Sequence, residues 1–499
     1  MSNLVTNVYE NDIIGLLPEI FFSNSIVVLL VLGVVYDRYI ISMGVSVGEV
    51  LRKQALIVTF FTVCLYLNQY GVDMYLLNYQ VEKNELVIFL LLLIFTGLGV
   101  CLVMSKEYMK LDNLDEYEYI LLMLLSTLGI IVMLTANDLL AVYLGVELQS
   151  LALYILATFK QESSYSTEAG LKYFVLGAFS SGIFLLGISL FYGFTGLTNF
   201  TDISYLLLVS NIENTISTGV LISVVCILVG LLFKVGAAPF HMWLPDVYEG
   251  SPTIVTSFFA IVPKIAVFGL IGKLYFSLLT VLVSEWSIVF VYASIFSLLV
   301  GSIGALYQNK IKRLIAYSAI GHTGFILLGF VAGGIEGLQG VYLYILVYMV
   351  LIVNMFAIVL SIRKQTDHRL LKVLGNFNQL YNSNKVLVLS FCLLLFSIAG
   401  IPPLVGFYSK LYIFFSVMKE GEIFIAILGV LISVIGAVYY IRLIKIMFFN
   451  IDKKWGFFYP VNTGTAYVIT LSSIFGVFFS IYSYPIILFV HEVILVSYY

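Results

Sequence analysis

The sequence predicts an all-α protein that crosses a membrane many times, and three observations predict it. Of its 499 residues, 61% are apolar and only 11% are charged, against roughly 25% charge in a soluble domain. The mean hydropathy is +1.06. Apolar runs near the roughly 20 residues needed to span a bilayer recur along the chain, with short polar loops between them. The basic residues gather in alternate loops, the pattern of a multi-pass protein.

The spans follow in order. The first apolar run is 13–36. The start, MSNLVTNVYENDIIG, has no basic stretch, and the run has no A-x-A end. It is therefore expected to be a true first helix rather than a cleaved signal. A chain so apolar without a presequence fits bacterial insertion or synthesis inside an organelle. The next runs are 50–68, 86–104 and 118–136. Asp138 opens the fifth, 138–159, and is placed to cap it. The sixth is 170–194. The seventh, 216–238, meets Gly236 and Pro239, which can break a helix. Then come 254–279, 287–307, 312–333 and 338–362. The twelfth, 385–416, is long and carries Pro402 and Pro403 inside it. The runs 421–449 and 465–490 bring the total to fourteen.

Loop charge sets the expected topology. Loops after odd-numbered spans hold Arg38, Arg52, Lys53, Lys106, Lys110, Lys160, Lys310, Lys312 and Arg313. They also hold Arg363, Lys364, Arg369, Lys372, Lys385, Lys453 and Lys454. Loops after even-numbered spans hold essentially Lys83 and Lys419. The basic loops are expected on the matrix or cytoplasmic side, and both termini on the other. The stretch HMWLPDVYEG, with Asp246 and Glu249, is expected as an ordered loop on the face opposite the basic loops.

Other classes are set aside. The net charge of −3 and the lack of a long basic cluster exclude a nucleic-acid binder. Cys64, Cys101, Cys226 and Cys392 have no CxxC spacing and read as isolated buried thiols. His241, His322, His368 and His491 are far apart, without the clustering of a metal site. Neither a Ser-His-Asp set nor a nucleotide fold is suggested. A purely structural membrane scaffold remains as one alternative.

A faint internal repeat is visible. The seventh span ends in FKVGAAPF, and the twelfth contains FSIAGIPPLVGFYSK. Both are apolar runs interrupted by small residues and proline, five spans apart. An odd offset inverts one copy relative to the membrane, as in many transporters. The expected organisation is 1–117 as three N-terminal helices, 118–283 and 284–449 as two inverted five-helix repeats, and 450–499 with a last helix.

Charges inside the apolar runs are costly and mark candidate sites. Lys234 follows eighteen uncharged residues and lies beside the Gly236 and Pro239 break. Glu147 has no charged neighbour for eight residues before it or twelve after it. Lys234 is its natural partner, because a desolvated amine and a carboxylate each stabilise the other's charged form. A static ion pair is the alternative. Lys264 follows Pro263 about ten residues into its run and has no acidic partner there. It reads as a transient proton acceptor, or as a lysine snorkelling to the interface. His322, in YSAIGHTGF, can take and pass a proton on its two nitrogens, or be a settled core residue. Lys410 follows Pro403 by seven residues and lies deep or near the exit, depending on where the helix re-forms. Lys172, near Glu168 and Tyr173, lies either between Lys234 and the basic face or at the rim.

Glu147, FKVGAAPFHMWLPDVYEGSPT with Lys234, VPK with Lys264, YSAIGHTGF with His322 and PPLVGFYSK with Lys410 form an ordered set. In this order the chain resembles the proton-translocating antiporter-like subunits of respiratory complex I, and among them the subunit 2, or N, branch. The resemblance covers roughly 13–449. It implies 14 helices with the seventh and twelfth broken. It also implies a proton-moving subunit of NADH:ubiquinone oxidoreductase, driven by quinone reduction at a distance. By match of motif, Glu147 and Lys234 form the coupled pair of the first half-channel. Lys264 and His322 form the central bridge, and Lys410 is the terminal lysine. The resemblance implies no cofactor in this chain. FMN, iron–sulfur clusters and quinone belong to partner subunits, and neighbouring antiporter-like subunits and lipids are the expected contacts. The implied place is the mitochondrial inner membrane, with termini in the intermembrane space, or a bacterial plasma membrane, with termini in the periplasm. The short C-terminus sets it apart from subunit 5, and the full helix set from the shortened animal form. A membrane subunit of a multisubunit cation/proton antiporter resembles the same core and is the alternative.

Overall fold

The structure is a computed structural model and describes residues 12–40, 47–112, 114, 117–212, 218–364, 370–378, 380–449 and 458–498. His368, Arg369, Lys453 and Lys454 lie outside the described residues. The helices are α1 (Leu17–Ile40), α2 (Val47–Asn68), α3 (Glu85–Leu111), α4 (Tyr117–Thr135), α5 (Leu139–Ala157), α6 (Ser164–Thr195), α7 (Phe200–Ile212), α8 (Thr218–Val235) and α9 (Trp243–Gly250). They continue with α10 (Thr253–Lys273), α11 (Val283–Leu306), α12 (Ile311–Ala332), α13 (Gly334–Ser361), α14 (Lys385–Ala399), α15 (Val405–Lys419), α16 (Ile423–Phe449), α17 (Thr463–Ile481) and α18 (Tyr484–Tyr498). An antiparallel hairpin, β1 (Met74–Leu76) and β2 (Val81–Lys83), joins α2 to α3.

Thirteen helices among the described residues are long and apolar enough to cross a membrane. The protein is a multi-pass membrane protein. At its centre lies α10, buried at every residue. It packs against α3, α4, α8 and α13, and α13 is nearly as enclosed. Outer helices such as α1, α16 and α17 bury one stripe and expose Val, Ile, Leu and Phe on the other. An apolar exterior of this kind suits lipid or other membrane helices. The pair α4 and α5 packs backbone to backbone. A Cβ on Gly145 would sit 2.7 Å from Met133 N, so only glycine permits this approach. Asp138 caps α5 as expected, its Oδ1 accepting from Leu140 N at 2.8 Å.

Two helix breaks share one geometry. After α8, Gly236 takes φ +77°, and its amide donates to Leu232 O and Phe233 O while Ala237 N reaches Leu232 O. After α14, Gly400 takes φ +87°, its amide donates to Phe396 O and Ser397 O, and Ile401 N reaches Phe396 O. Both are left-handed glycine caps of the Schellman type. A cis X-Pro bond follows at the same spacing, Ala238–Pro239 and Pro402–Pro403.

The structure bears out the break expected in the twelfth run and departs from the sequence expectations at four other places, the first being Cys64, expected buried and found exposed. The run 385–416 is two half-helices of 15 residues each, α14 and α15. Each is roughly 22 Å long and too short alone for a hydrocarbon core of about 30 Å. The run 465–490 is also two helices. It ends at Ile481 and restarts at Tyr484, because Pro485 cannot donate a hydrogen bond to a preceding turn. The hairpin and the short α7 were not foreseen.

The fourth departure is the side of the 241–250 segment. Glu249 pairs with Lys310 and Arg313, Asp246 pairs with Lys172 and Arg313, and Lys312 donates to Ser251 O. Ile311 N donates to Lys372 O at 3.0 Å. Asp246 and Glu249 therefore lie on the same face as the basic loops, not opposite them. The loop-charge rule itself accounts for this, because 241–250 follows the seventh, odd-numbered span and so belongs with the loops that carry the cations. A membrane-impermeant thiol reagent should label E249C and K372C from the same side of a sealed vesicle. Labelling from opposite sides would contradict this arrangement.

Candidate functional site

Lys264, His322 and Lys410 lie buried in the middle of the molecule, Glu147 and Lys234 are half-buried, and Lys172 is exposed. Glu147 sits on α5. Its Oε2 accepts from Ser150 Oγ at 3.2 Å. Ser150 and Tyr154 follow at three and seven residues, on the same helix face. Lys234 Nζ donates to Tyr154 OH at 3.4 Å and stands 5.7 Å from that ring's centre. Glu147 and Lys234 form no ion pair among the described residues. In place of the expected direct ion pair, Ser150 stands beside Glu147 and Tyr154 beside Lys234, and the packing explains why. Helix α6 packs against both α5 and α8 and lies between them. Of the candidates on α5, the long Tyr154 is the one that reaches across.

From Tyr154 the path turns aromatic. Tyr154 meets Tyr173 edge to face at 4.8 Å, and Tyr173 stacks on Trp243 at 4.7 Å. Trp243 Nε1 donates to Phe233 O at 3.0 Å, fixing α9 beside the end of α8. Lys264, on α10, is 4% exposed. Its Nζ has no hydrogen-bond partner among the described residues and lies 5.9 Å from the ring centre of Tyr348. An interface-seeking lysine would reach outward, so snorkelling does not describe it. The rings of Tyr348 and His322 are 5.3 Å apart. His322 Nδ1 and Tyr344 OH share a hydrogen bond of 2.6 Å. His322 and Lys410 together line two small internal cavities, with Tyr344, Tyr348 and Ser409 in one and Ser318 and Tyr440 in the other.

Lys410 is deep, not at an exit. It is 8% exposed, and its Nζ donates to Ile398 O at 3.1 Å and Ala399 O at 2.8 Å. These are the last carbonyls of α14, freed by the break at Gly400. Phe325 stands under the amine at 5.0 Å. Lys234 occupies the corresponding place in the last turn of α8, two residues before Gly236. Both amines thus sit at the negative end of a broken half-helix, where a cation is favoured. One arises within that turn, and the other reaches back from the second half.

Lys172 differs from the other candidates. Its side chain is 43% exposed and pairs with Glu168 at 2.8 Å and Asp246 at 2.9 Å. It belongs to the ion-pair network of the basic face and not to the buried row. Among the described residues, no three of His, Cys, Asp and Glu come together to hold a metal ion.

The sequence reading missed two groups. The tyrosines Tyr154, Tyr344 and Tyr348 carry no local motif, although seven-residue spacing from Glu147 points to the first. The second group is a pair of enclosed lysines. Lys83 is fully buried and bonds to Gly15 O at 2.6 Å, Glu19 at 2.7 Å and Gln69 Oε1 at 3.2 Å. Burial pulls its basicity below the ordinary lysine value, and Glu19 opposes that shift. Lys273 bonds to Glu82 at 3.0 Å and to the carbonyls of Leu134 and Ala136. It lies in the same apolar run as Lys264 and could have been noticed there.

With this geometry in view, the comparisons have a place. A family model described as NADH:quinone oxidoreductase/Mrp antiporter, TM, matches residues 136–436. The chain belongs to this family of antiporter-like membrane subunits. It is similar to NADH-ubiquinone oxidoreductase chain 2 of Marchantia polymorpha, with 40% identity across 98% of this chain and 99% of that protein. It is likewise similar to NADH-quinone oxidoreductase subunit N of Paramagnetospirillum magneticum, with 39% identity over 95% and 96% of the two chains. A chain in the structure of respiratory complex I from Thermus thermophilus superposes with a TM-score of 0.78 at 26% identity, covering 94% of this chain and 98% of that one.

The Lys410 contacts lead to a measurable consequence. In K410M the carbonyls of Ile398 and Ala399 lose their donor, at a cost of about 1–3 kcal/mol for a buried group left unsatisfied. The assembled K410M protein should come apart on heating at a lower temperature than the wild type, read by loss of the intact complex and not by activity. An unchanged dissociation midpoint would mean that the amine does not support the break.

Proposed function

We infer that this chain is the proton-translocating membrane subunit, of the subunit 2 or N type, of an NADH:quinone oxidoreductase. The observation that supports the reading is the set of buried and half-buried titratable groups, with hydroxyls beside Glu147, Lys234 and His322, small cavities at His322 and Lys410, and amines at both helix breaks. Glu147, Lys234, Lys264, His322 and Lys410 are the proposed carriers, and Tyr154, Tyr344 and Tyr348 stand between them. Lys172 marks the basic-face end of the first half. Electron transfer through flavin and iron–sulfur clusters, and quinone reduction, are assigned to partner subunits. Neighbouring antiporter-like subunits and lipids would cover the exposed apolar faces.

In this reading the chain makes fourteen crossings, α14 and α15 together forming one of them. Residues 118–283 and 284–449 form two inverted repeats, supported by the matching glycine caps at Gly236 and Gly400. Residues 1–117 and 450–499 flank them. Both termini would lie on the face opposite the basic loops. The host membrane is a mitochondrial inner membrane or a bacterial plasma membrane. Co-purification with flavin and iron–sulfur subunits tests the assignment. Isolation with antiporter subunits alone, together with sodium-dependent pH recovery, would favour the cation/proton antiporter instead.

The charge-bearing groups separate by substitution in the assembled complex. E147Q keeps size and hydrogen bonding and should lower coupled NADH–quinone activity without loss of assembly. Full pumping in E147Q would remove the carboxylate from the path. K234R is the sharper probe, since arginine stays charged and does not readily release a proton. If Lys234 must give up its proton, K234R should fail about as badly as K234A. Near-normal quinone reduction and proton movement in K234R would reduce Lys234 to a fixed counter-ion. Y154F keeps the ring and removes the hydroxyl that Lys234 touches. The proton-to-electron ratio should fall in Y154F, and a wild-type ratio would take Tyr154 out of the relay.

A further inference from the structure

The basic face ties most of its cations to carboxylates. Lys106 and Lys110 pair with Glu49, Lys160 and Arg363 with Asp112, and Lys310 and Arg313 with Glu249. Among the described residues, five exposed cations break this rule, Lys53, Lys372, Lys385, Arg442 and Lys445, and the last three cluster on one rim. Arg442 and Lys445 lie one turn apart near the end of α16, and Lys385 opens α14. None has a carboxylate within ion-pair distance among the described residues.

The three are held next to one another. Arg442 donates to Leu306 O at 3.1 Å and Asn309 Oδ1 at 3.3 Å, which fixes its guanidinium at the end of α11. A guanidinium has five N–H donors, so others remain for a ligand. Phe448, one turn beyond Lys445, packs on Tyr381 with ring centres 5.0 Å apart. Lys385 Nζ stands 5.8 Å from the Tyr381 ring centre. The cations therefore follow one edge across the packed pair α14 and α16. Directly below them the exterior is apolar, with Leu389 60% and Ile441 48% exposed.

We propose that this rim binds the headgroup of an anionic phospholipid, with its acyl chains lying along α14 and α16. Charge complementarity favours a phosphate. Arginine matches its oxygens in a fork, and the two lysines add point charge. Depth favours a lipid, because cations above an apolar wall reproduce the order of headgroup over chain. A cation cluster beside a membrane helix is the usual footprint of an anionic headgroup.

The intact complex, purified from its membrane, provides the test. Native mass spectrometry should find anionic phospholipid on the wild type and one such lipid fewer on the triple variant R442Q/K445Q/K385Q. K419Q, whose lysine pairs with Glu336 on a different rim, should keep the wild-type number. A second measurement needs no variant. In nanodiscs, added phosphatidylglycerol should slow amine labelling of Lys385 and Lys445 several-fold relative to phosphatidylcholine alone. An unchanged lipid count in the triple variant would overturn the proposal. If that variant does not assemble, equal labelling in the two nanodiscs would overturn it. Crosslinking of Lys385 or Lys445 to carboxylates of a neighbouring subunit, with no lipid effect, would make this edge a protein contact instead.

Discussion

A buried amine needs electron-rich partners, and a continuous helix offers none because its carbonyls are already used. This constraint shapes the molecule. At Gly236 and Gly400 the helix stops inside the apolar layer, and a left-handed glycine folds the chain over its own end. The last carbonyls then point at whatever cation is near. Lys410 takes two of them, and Lys234 sits in the equivalent turn. The breaks are therefore the means of placing positive charge at depth. The enclosing helices α10, α12 and α13 exclude lipid from that charge.

Much of this was legible in the sequence, because the relevant signals are local. A charge within eighteen apolar residues is visible without a structure, and so is a Gly-x-x-Pro inside a span. Both breaks, the depth of Lys264, and the cap at Asp138 follow from such signals. What failed to show is what depends on neighbours far along the chain. Tyr348 meets Lys264 across 84 positions, and nothing near either residue announces it. The side of Glu249 failed for another reason, since its segment follows the seventh, odd-numbered span and the loop-charge rule already assigns it to the basic face. The expected contact of Glu147 with Lys234 failed because hydropathy ranks burial and says nothing of α6 lying between α5 and α8.

The hydroxyls deserve weight because of where they stand. Tyrosine offers an apolar ring to the packed interior and one polar atom to a path. Tyr154 shows both uses, its ring against Tyr173 and its oxygen toward Lys234. Tyr344 does the same for His322. A row built this way keeps its surroundings dry and closely packed, yet leaves polar atoms at intervals. In the proposed function, that combination would serve a proton path closed to bulk water and other ions.

The protein also contains its own control for what a buried lysine does. Lys83 and Lys273 are as enclosed as the candidates, and each is saturated. Lys83 has a carboxylate, a carbonyl and an amide oxygen, and Lys273 has a carboxylate and two carbonyls. Three acceptors match the three donors of an ammonium. Such a group ties elements together, here the hairpin to α1 and to the end of α10. Lys264 has no such set, Lys234 touches one hydroxyl at 3.4 Å, and Lys410 has two carbonyls without a carboxylate. Anchoring would be served by more acceptors, which this fold supplies elsewhere. An amine left short of them is stabilised less as a cation, so less free energy separates its two protonation states. The difference in coordination, and not burial itself, is what would divide the fastening lysines from the proposed proton carriers.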